Sequence, residues 1–156
     1  MTIIRPAEVR DILDISEIWN YYIRETSITF NASEKTIHGV EAAIEACRLE
    51  DRAFLVAQDD LGVLGFATYF QFRRGVGYAK TMEHTVLTAS RARGLGIGRI
   101  LMSALFDHAK STGVKSLWAC VSADNLAAAE FHERIGFLRI AILPKVGYKF
   151  NRWIDL

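Results

Sequence analysis

The sequence predicts a mixed α/β fold, in which a β-sheet carries helices on its faces. Short stretches rich in β-branched and aromatic residues alternate with longer segments whose apolar residues have helical spacing. An early pair of strand-like stretches flanks a turn at residues 59–62, which favours antiparallel neighbours. Farther along the chain, strands and helices alternate, which favours a parallel crossover.

The first half of the chain predicts one strand, two amphipathic helices and a β-hairpin. In the first helix, Ile12, Ile15, Trp19 and Ile23 recur on one face. The predicted elements are a strand at residues 2–5, helices at 8–24 and 36–49 separated by a loop at 26–31, and strands at 53–58 and 63–72.

The second half predicts alternating strands and helices. Its elements are a loop at residues 73–77, strands at 80–88 and 115–121, helices at 97–111 and 126–135, and two strands within 137–154 joined near Pro144. A length of 156 residues fits one domain and no low-complexity linker interrupts the pattern, so residues 1–156 are expected to form a single domain.

Composition and charge exclude several classes of protein. With 51% hydrophobic and 24% charged residues, the chain can bury a core and is not typical of disorder. A net charge of +1 provides no excess of positive charge for binding a nucleic-acid backbone. No apolar run approaches the roughly 20 residues of a membrane span. Cys47 and Cys120 lie in apolar patterns and are expected to be buried thiols. We therefore expect a soluble, cytoplasmic protein that binds neither nucleic acid nor membrane.

A glycine-rich segment at residues 91–99 lies between a predicted strand and a predicted helix. Its glycines allow tight turns and bring free N–H groups to a helix N-terminus, where the helix dipole favours an anion. Arginines at positions 91, 93 and 99 supply positive charge. The segment predicts a phosphate or pyrophosphate site, and the alternative is a glycine turn without a ligand.

Two common phosphate motifs do not fit this segment. A Walker loop ends in Gly-Lys-Ser/Thr, whereas Gly98 is followed by Arg99 and Ile100. A dinucleotide fingerprint has the spacing G-x-G-x-x-G early in the chain, whereas here the spacing is G-x-G-x-G and the loop lies past mid-chain.

Residues 93–98 match the Q/R-x-x-G-x-G/A motif of the GNAT N-acetyltransferase superfamily, which the chain resembles. Asn125 and the run at residues 131–137, which ends in Gly-Phe, match a second feature of that superfamily. The resemblance implies the GNAT fold, a mixed and mostly antiparallel sheet of about seven strands with about four helices. It also implies acetyl-CoA as cosubstrate, with the pyrophosphate on the loop and the pantetheine arm against Asn125 and one strand edge. The implied acetyl-CoA-binding residues are Thr85, Val86, Leu87, Arg93, Gly94, Leu95, Gly96, Ile97, Gly98, Arg99 and Asn125.

A narrower resemblance covers nearly the whole chain. Residues 19–23, 26–30, 81–86, 131–137 and 146–156 are similar to the phosphinothricin and methionine sulfoximine acetyltransferases. This resemblance implies direct acetyl transfer, through a ternary complex, to the amino group of a small amino-acid-like acceptor. It also implies a homodimer.

Acetyl transfer needs a neutral amine, so a base must remove a proton from the ammonium form. Glu83 is the candidate, because it lies in an otherwise apolar strand and an apolar setting raises the pKa of a carboxyl group. The alternative is a strand glutamate that faces solvent. The N–H of Val86 is the oxyanion donor that the resemblance implies. His132 occupies the position where the superfamily often has a tyrosine that protonates the leaving thiolate; it is a candidate general acid or a residue of the pocket rim.

An amino-acid acceptor needs a partner for its carboxylate. Arg73 and Arg74 precede the strand of Glu83 and can bind a carboxylate bidentately, although either could be a solvated loop charge. Phe30 and Tyr78 are expected to line the same pocket. No His, Cys and carboxylate spacing predicts a metal. Alternatives to this function are a different amine acceptor (a polyamine, an aminoglycoside or a protein N-terminus) and a non-catalytic CoA-binding module.

Overall fold

The computed structural model describes all residues from 1 to 156, which form seven strands and four helices. The chain divides into two compact units. The first consists of Met1–Ile18 and Lys35–Trp118, and the second consists of Trp19–Glu34 and Ala119–Leu156. No helix combines the length and the apolar character that crossing a membrane requires.

A five-stranded sheet forms the framework of the first unit, in the order β1-β2-β3-β4-β5. The strands are β1 (Ile3–Pro6), β2 (Phe54–Asp59), β3 (Gly62–Gln71), β4 (Thr81–Thr88) and β5 (Ser116–Trp118). The first three pairings are antiparallel, and β4 pairs with β5 in parallel. The predicted hairpin and the predicted parallel crossover are both present.

The four helices lie where the apolar spacing predicts them. They are α1 (Ile12–Glu25), α2 (Ile37–Leu49), α3 (Ile97–Ser111) and α4 (Leu126–Arg134). Thr36 caps α2, because its hydroxyl accepts a hydrogen bond from the N–H of Gly39 at 3.0 Å. Three short 3-10 turns, Val9–Asp11, Val76–Tyr78 and Ser90–Ala92, connect the larger elements.

The core of the first unit lies around β2 and β3. Every residue from 53 to 57 and from 63 to 69 is buried, so these strands are covered on both faces and do not alternate between core and solvent. Helix α3 packs against β2, β3 and β4 with its apolar side. Its most buried side chains are Leu101, Met102 and Leu105.

The C-terminal region differs from the sequence-based expectation. The last two strands are only β6 (Gly147–Lys149) and β7 (Arg152–Ile154), and they meet at Phe150 and Asn151 instead of near Pro144. Both turn residues have positive φ, 50° and 60°, which matches the right-handed twist of a two-residue hairpin. Residues 138–143 do not form a strand, although Leu143 exchanges backbone hydrogen bonds with Leu156 at 2.8 and 3.0 Å.

Two smaller expectations also need correction. The strand predicted at residues 115–121 ends at Trp118, because its pairing with β4 stops there. Cys47 is buried as expected, but Cys120 is exposed, just beyond the end of that strand.

A buried ion pair connects the start of the sheet to the turn before α1. Arg5 donates to both carboxylate oxygens of Asp11, at 2.7 and 2.8 Å, and Asp11 also accepts from the N–H of Glu8 at 2.8 Å. Burial alone raises the pKa of Asp11, but the hydrogen bonds from Arg5 and Glu8 outweigh it and lower that pKa below its ordinary value. Asp11 is 4% exposed, so a variant without its charge leaves Arg5 poorly compensated.

We expect Asp11→Asn to lower the free energy of unfolding by about 2 kcal/mol at pH 7. The folded pKa lies below the unfolded value, so the stabilisation is present above about pH 4 and is lost as the pH falls through the folded pKa. Urea unfolding of both proteins at pH 7 and at pH 3 measures this, and the difference should shrink at pH 3. Glu45→Gln removes an exposed carboxylate that pairs with Arg48 and should change stability much less. If the wild type and Asp11→Asn differed in unfolding free energy by the same amount at both pH values, the stabilising role of the Asp11 charge would be contradicted.

Candidate active site

Strand β4 places most of the predicted site residues in one line. It spans eight residues, or roughly 26 Å at the usual rise of a strand. The loop with Arg73, Arg74 and Tyr78 precedes it, Glu83 lies near its start, and the glycine-rich loop follows its end. Along one strand, the order is therefore predicted acceptor loop, predicted base, predicted pantetheine edge and predicted pyrophosphate loop.

The pairing of β4 with β5 stops partway along β4. The last paired residues are Glu83 and Trp118, and β4 continues to Thr88. On the other side, β3 stays paired along the whole of this stretch, with Thr85 opposite Thr68 and Leu87 opposite Phe66. Backbone groups on the β5 side of residues 85–87 can therefore bind an amide-containing ligand in the manner of an added strand.

Glu83 lies at the last paired position of the β4–β5 ladder. It is opposite Phe70 on β3 and Trp118 on β5, and directly opposite residues share a face of the sheet. The carboxylate thus belongs to a row with two aromatic side chains and is half-buried. The residues on either side of it, Met82 and His84, are buried on the opposite face, as the alternation of a strand requires.

The glycine-rich loop leads into α3 through two glycines in the left-handed region. Gly94 has φ +77° and Gly96 has φ +75°, and Gly96 is the N-cap of α3. The N–H groups of Arg99 and Ile100 both donate to the carbonyl of Gly96, at 3.0 and 3.3 Å. No backbone carbonyl accepts from the N–H groups of Gly96, Ile97 or Gly98, which are orphan donors at a helix N-terminus.

The surroundings of this loop are open. A Cβ built on Gly94 or Gly96 would meet no atom within 4 Å, and Arg93, Leu95 and Arg99 are exposed. The donor set of amide N–H groups and guanidinium groups suits the oxygens of a pyrophosphate. The residues of this segment therefore fit the group that the sequence predicts for them.

Arg91 has a different role from the other two arginines. Its guanidinium binds Asp59 through both carboxylate oxygens, at 2.8 and 3.1 Å, and reaches the carbonyl of Val63 at 3.4 Å. The bond from Arg91 is the main reason why the pKa of Asp59 is lowered. Arg91 thus attaches the start of the loop to the β2–β3 turn. This pairing could not be predicted from the sequence, because Asp59 lies far from Arg91 along the chain.

The loop with Arg73 and Arg74 is exposed, and its backbone is held from β3. The side-chain amide of Gln71 donates to the carbonyls of Arg73 and Gly75, at 2.6 and 2.9 Å. The Arg73 guanidinium lies 5.8 Å from the centre of the Phe72 ring, which itself stacks on Trp118. Tyr78 is 41% exposed, so the predicted acceptor-binding side chains of this loop are accessible.

In the second unit, Asn125 and His132 lie at the start and near the end of α4. Asn125 caps the helix, because its Oδ1 accepts from the N–H of Ala128 at 3.1 Å, which leaves its Nδ2 group to contact a ligand. His132 is buried instead of lying at a rim, between the rings of Phe131 and Phe137. Burial lowers the pKa of His132, and its Nδ1 lies 2.6 Å from the carbonyl of Ala128. A carbonyl only accepts, so this nitrogen carries the proton.

Phe30, the remaining predicted acceptor residue, lies in the loop after α1. Its ring packs on the bare backbone of Gly147, where an added Cβ would be 2.3 Å from a ring atom. Lys149, also in the second unit, is buried and binds the same loop; sequence reasoning assigned it no role. The sequence signal is its place two residues after Gly147 in a segment predicted as a strand, which puts both residues on one face. No group of three or more His, Cys, Asp or Glu side chains is arranged to hold a metal ion.

The loop assignment leads to a direct test with Gly96→Val. We expect the acetyl-CoA dissociation constant, measured by calorimetry, to rise by about tenfold or more, because a branched side chain crowds the pyrophosphate and disfavours the left-handed backbone. Gly113 has φ +76° at the other end of α3, so Gly113→Val introduces the same strain away from the loop. Equal losses of affinity in both variants would show that strain alone is responsible.

Comparison with known proteins identifies the family of this arrangement. The Pseudomonas paraeruginosa L-methionine sulfoximine/L-methionine sulfone acetyltransferase is 34% identical over 154 residues, which cover 98% of this chain and 90% of that protein. The Streptomyces coelicolor phosphinothricin N-acetyltransferase is 30% identical over 167 aligned positions, covering 98% and 91%. A Salmonella typhimurium structure, described as that of an acetyltransferase with its cofactor acetyl-CoA, matches with a TM-score of 0.96 and 32% identity over 99% of this chain and 90% of that one.

The sequence model of the Acetyltransferase (GNAT) family matches residues 15–137, which is most of the chain. This match includes β4, the glycine-rich loop and α4. The seven strands and four helices are those expected of the GNAT fold, divided between a five-stranded and a two-stranded sheet. The chain belongs to the acetyltransferase (GNAT) family and is an N-acetyltransferase.

Proposed function

We propose that this protein transfers the acetyl group of acetyl-CoA to the amino group of a small amino-acid-like acceptor, of the methionine sulfoximine or phosphinothricin type. The order of groups along β4 carries the proposal. A half-buried carboxylate at Glu83 lies between a loop with two exposed arginines and a strand edge that leads to an anion-binding loop. The names of the relatives support the acceptor class.

The chemistry begins with removal of a proton from the acceptor. Glu83 accepts a proton from the ammonium group, directly or through water, and the neutral nitrogen then attacks the thioester carbonyl. A new C–N bond forms, and the N–H of Val86 stabilises the negative oxygen of the tetrahedral intermediate. The C–S bond then breaks, the former amine nitrogen loses its extra proton and the CoA thiolate gains one, so the products are a neutral amide and CoA with a free thiol.

His132 is our candidate for the group that protonates the thiolate, but its surroundings limit how it can do so. The Nδ1 proton is held by Ala128, and burial keeps the imidazole neutral near pH 7. A neutral ring with a proton on Nδ1 has a lone pair on Nε2, so it accepts a proton before it can donate one. His132 would therefore accept a proton on Nε2 and pass it to the thiolate, because the neutral ring has no Nε2 proton of its own to donate.

The acceptor would be held by its carboxylate and by its side chain. Arg73 and Arg74 supply guanidinium groups that bind a carboxylate in a bidentate manner. Tyr78 and Phe30 supply aromatic surface. Arginines in this position favour an anionic acceptor over a polyamine or an aminoglycoside, both of which carry positive charge.

Acetyl-CoA would bind through backbone and arginine contacts. The orphan N–H groups at the start of α3, with Arg93 and Arg99, would bind the pyrophosphate. The edge of residues 85–87 and the Nδ2 group of Asn125 would bind the amides of the pantetheine arm. We assign no metal to the reaction, because acyl transfer to an amine by this route needs none.

We further propose that residues 1–156 act as one domain, that the protein is a cytoplasmic homodimer, and that it binds neither nucleic acid nor membrane. The family match spans residues from both compact units, which supports a single functional domain. Cys120 is exposed and forms no disulfide, which fits a reducing compartment. Large apolar side chains of the C-terminal region are exposed and would be covered in a dimer: Leu138, Ile140, Ile142, Tyr148, Phe150 and Trp153.

The role of Glu83 is tested by Glu83→Gln. We expect kcat to fall by about a hundredfold at neutral pH with little change in acetyl-CoA affinity. The loss should be smallest at high pH, where more of the acceptor amine is already neutral. Glu17→Gln, which changes an exposed carboxylate on α1, is the matched control and should leave kcat unchanged. If the kcat of Glu83→Gln equalled that of the wild type at every pH, Glu83 would have no part in the mechanism.

The acceptor class is tested by CoA release, measured with a thiol reagent, for a panel of amines. The panel contains methionine sulfoximine, phosphinothricin, common amino acids, spermidine, kanamycin and a peptide with a free N-terminus. Turnover confined to the amino-acid analogues supports the proposal. Turnover only with the cationic amines or the peptide would keep the acetyltransferase activity and overturn the acceptor. Acetyl-CoA binding without turnover on any amine would favour the non-catalytic module.

A further inference from the structure

Lys149 on β6 is a buried ammonium group whose partners are backbone carbonyls and not a carboxylate. It is 6% exposed, and its Nζ donates to the carbonyl oxygens of Thr26 and Thr29 at 2.7 and 2.8 Å. The Nζ also lies 5.1 Å from the centre of the Phe150 ring. Burial lowers the pKa of Lys149, as expected where no anion offsets the loss of water. A charge buried at such an energetic cost indicates a specific structural task.

Both carbonyls belong to the loop at residues 26–30, which follows α1. Inside this loop, the hydroxyl of Thr26 donates to the carbonyl of Tyr22 at 2.7 Å and accepts from the N–H of Ile28 at 3.2 Å. The hydroxyl of Thr29 accepts from the N–H of Asn31 at 3.3 Å. These are short-range turn bonds of the kind that form and break readily at a surface. The ammonium group bridges the two turns and joins them into one rigid segment.

The same strand supports the aromatic ring of that loop. Gly147 lies two residues before Lys149, so both face the same side of β6, and both are buried. A Cβ on Gly147 would be 2.3 to 2.6 Å from three carbon atoms of the Phe30 ring. The ring therefore lies directly on the backbone of β6. The position of Phe30 thus depends on Gly147, which has no side chain to displace the ring, and on the Lys149 ammonium group, which binds the loop that carries Phe30.

A second tie joins the same loop to the turn before α4. Ser27 donates to Asp124 at 2.6 Å, and Arg152 on β7 also binds Asp124. Lys149 and Arg152 are directly opposite each other in the β6–β7 ladder, an arrangement of like charges that is unfavourable unless each has its own partner. Here each has one, and Asp124 immediately precedes Asn125. The β6–β7 hairpin therefore holds both the segment with Phe30 and the segment with Asn125.

We propose that Lys149 is a positioning residue for acceptor binding, because its ammonium group fixes the loop at residues 26–30 and with it the ring of Phe30. This inference rests on the proposed function, in which Phe30 lines the acceptor site. Lys149 itself contacts no reacting atom. It affects the binding of the acceptor side chain and not the acetyl-transfer step.

The test is Lys149→Met, which keeps an unbranched side chain, one heavy atom shorter, and removes its charge. We expect the KM for the acceptor to rise by about tenfold or more, while the KM for acetyl-CoA stays within about twofold. Lys145→Met, which removes an exposed lysine four residues earlier, should change neither. A purely structural role would instead reduce both catalytic efficiencies together, and that result would overturn the proposal, as would an unchanged acceptor KM.

A second readout does not depend on knowing the acceptor. Hydrogen exchange at the amides of Ile28 and Asn31 should be faster in Lys149→Met than in the wild type, with α3 amides unchanged. If the wild type acetylates none of the amines tested, the proposed function fails, and this measurement still decides whether Lys149 fixes the loop. Unchanged exchange in the loop would overturn the inference.

Lys149→Arg covers the case in which Lys149→Met does not fold. It keeps the charge and the capacity to donate to two carbonyls, but the larger guanidinium displaces the loop. We expect an acceptor KM raised by about threefold or more and an acetyl-CoA KM close to that of the wild type. A parallel rise of both constants in Lys149→Arg would contradict the positioning role.

Discussion

The backbone hydrogen bonding of β4 is the constraint on which the rest of the candidate site depends. On one side, β3 pairs with β4 from Met82 to Thr88, which makes the strand rigid. On the other side, pairing with β5 stops at Glu83. The same strand is therefore paired along one side and unpaired with β5 beyond Glu83 on the other, where we propose that pantetheine binds. If β5 paired along the full length of β4, the edge groups of residues 85–87 would be used within the protein and unavailable to a pantetheine arm.

Within each unit, a charged side chain holds a loop through contacts that are distant in sequence. Arg91 attaches the glycine-rich loop to Asp59, more than thirty positions earlier. In the second unit, Lys149 binds the loop at residues 26–30, more than a hundred positions earlier. In both cases a basic side chain hydrogen-bonds groups that are distant in sequence. Arg91 binds the Asp59 carboxylate, whereas Arg93 and Arg99 are exposed and are the arginines that we propose for the pyrophosphate.

Much of the fold was predictable, because it depends on local periodicity. The four helices agree with their apolar spacing, and α3 matches the predicted residues at both ends. The predictions were wrong where the outcome depends on a partner strand. Residues 138–143 form no strand, although Leu143 exchanges backbone hydrogen bonds with Leu156, and the segment after Trp118 leaves the sheet although its pattern continues. Periodicity records which residues favour an extended chain, but it does not record which other strand is within reach.

The sequence by itself determined the fold class, and it predicted an anion-binding role for the glycine-rich loop and Glu83 as the candidate base. Each of these is a local property: residue spacing, glycine flexibility at a helix start, and a carboxylate among apolar neighbours. Only the tertiary structure decided where the pairing of β4 with β5 stops, that Arg91 binds Asp59, that His132 is buried with a lowered pKa, and that Lys149 is buried against backbone carbonyls. These outcomes depend on burial and on pairing between distant residues. A side chain's charge and hydrogen-bond partners are set by the groups that folding brings to it and not by its neighbours in the chain.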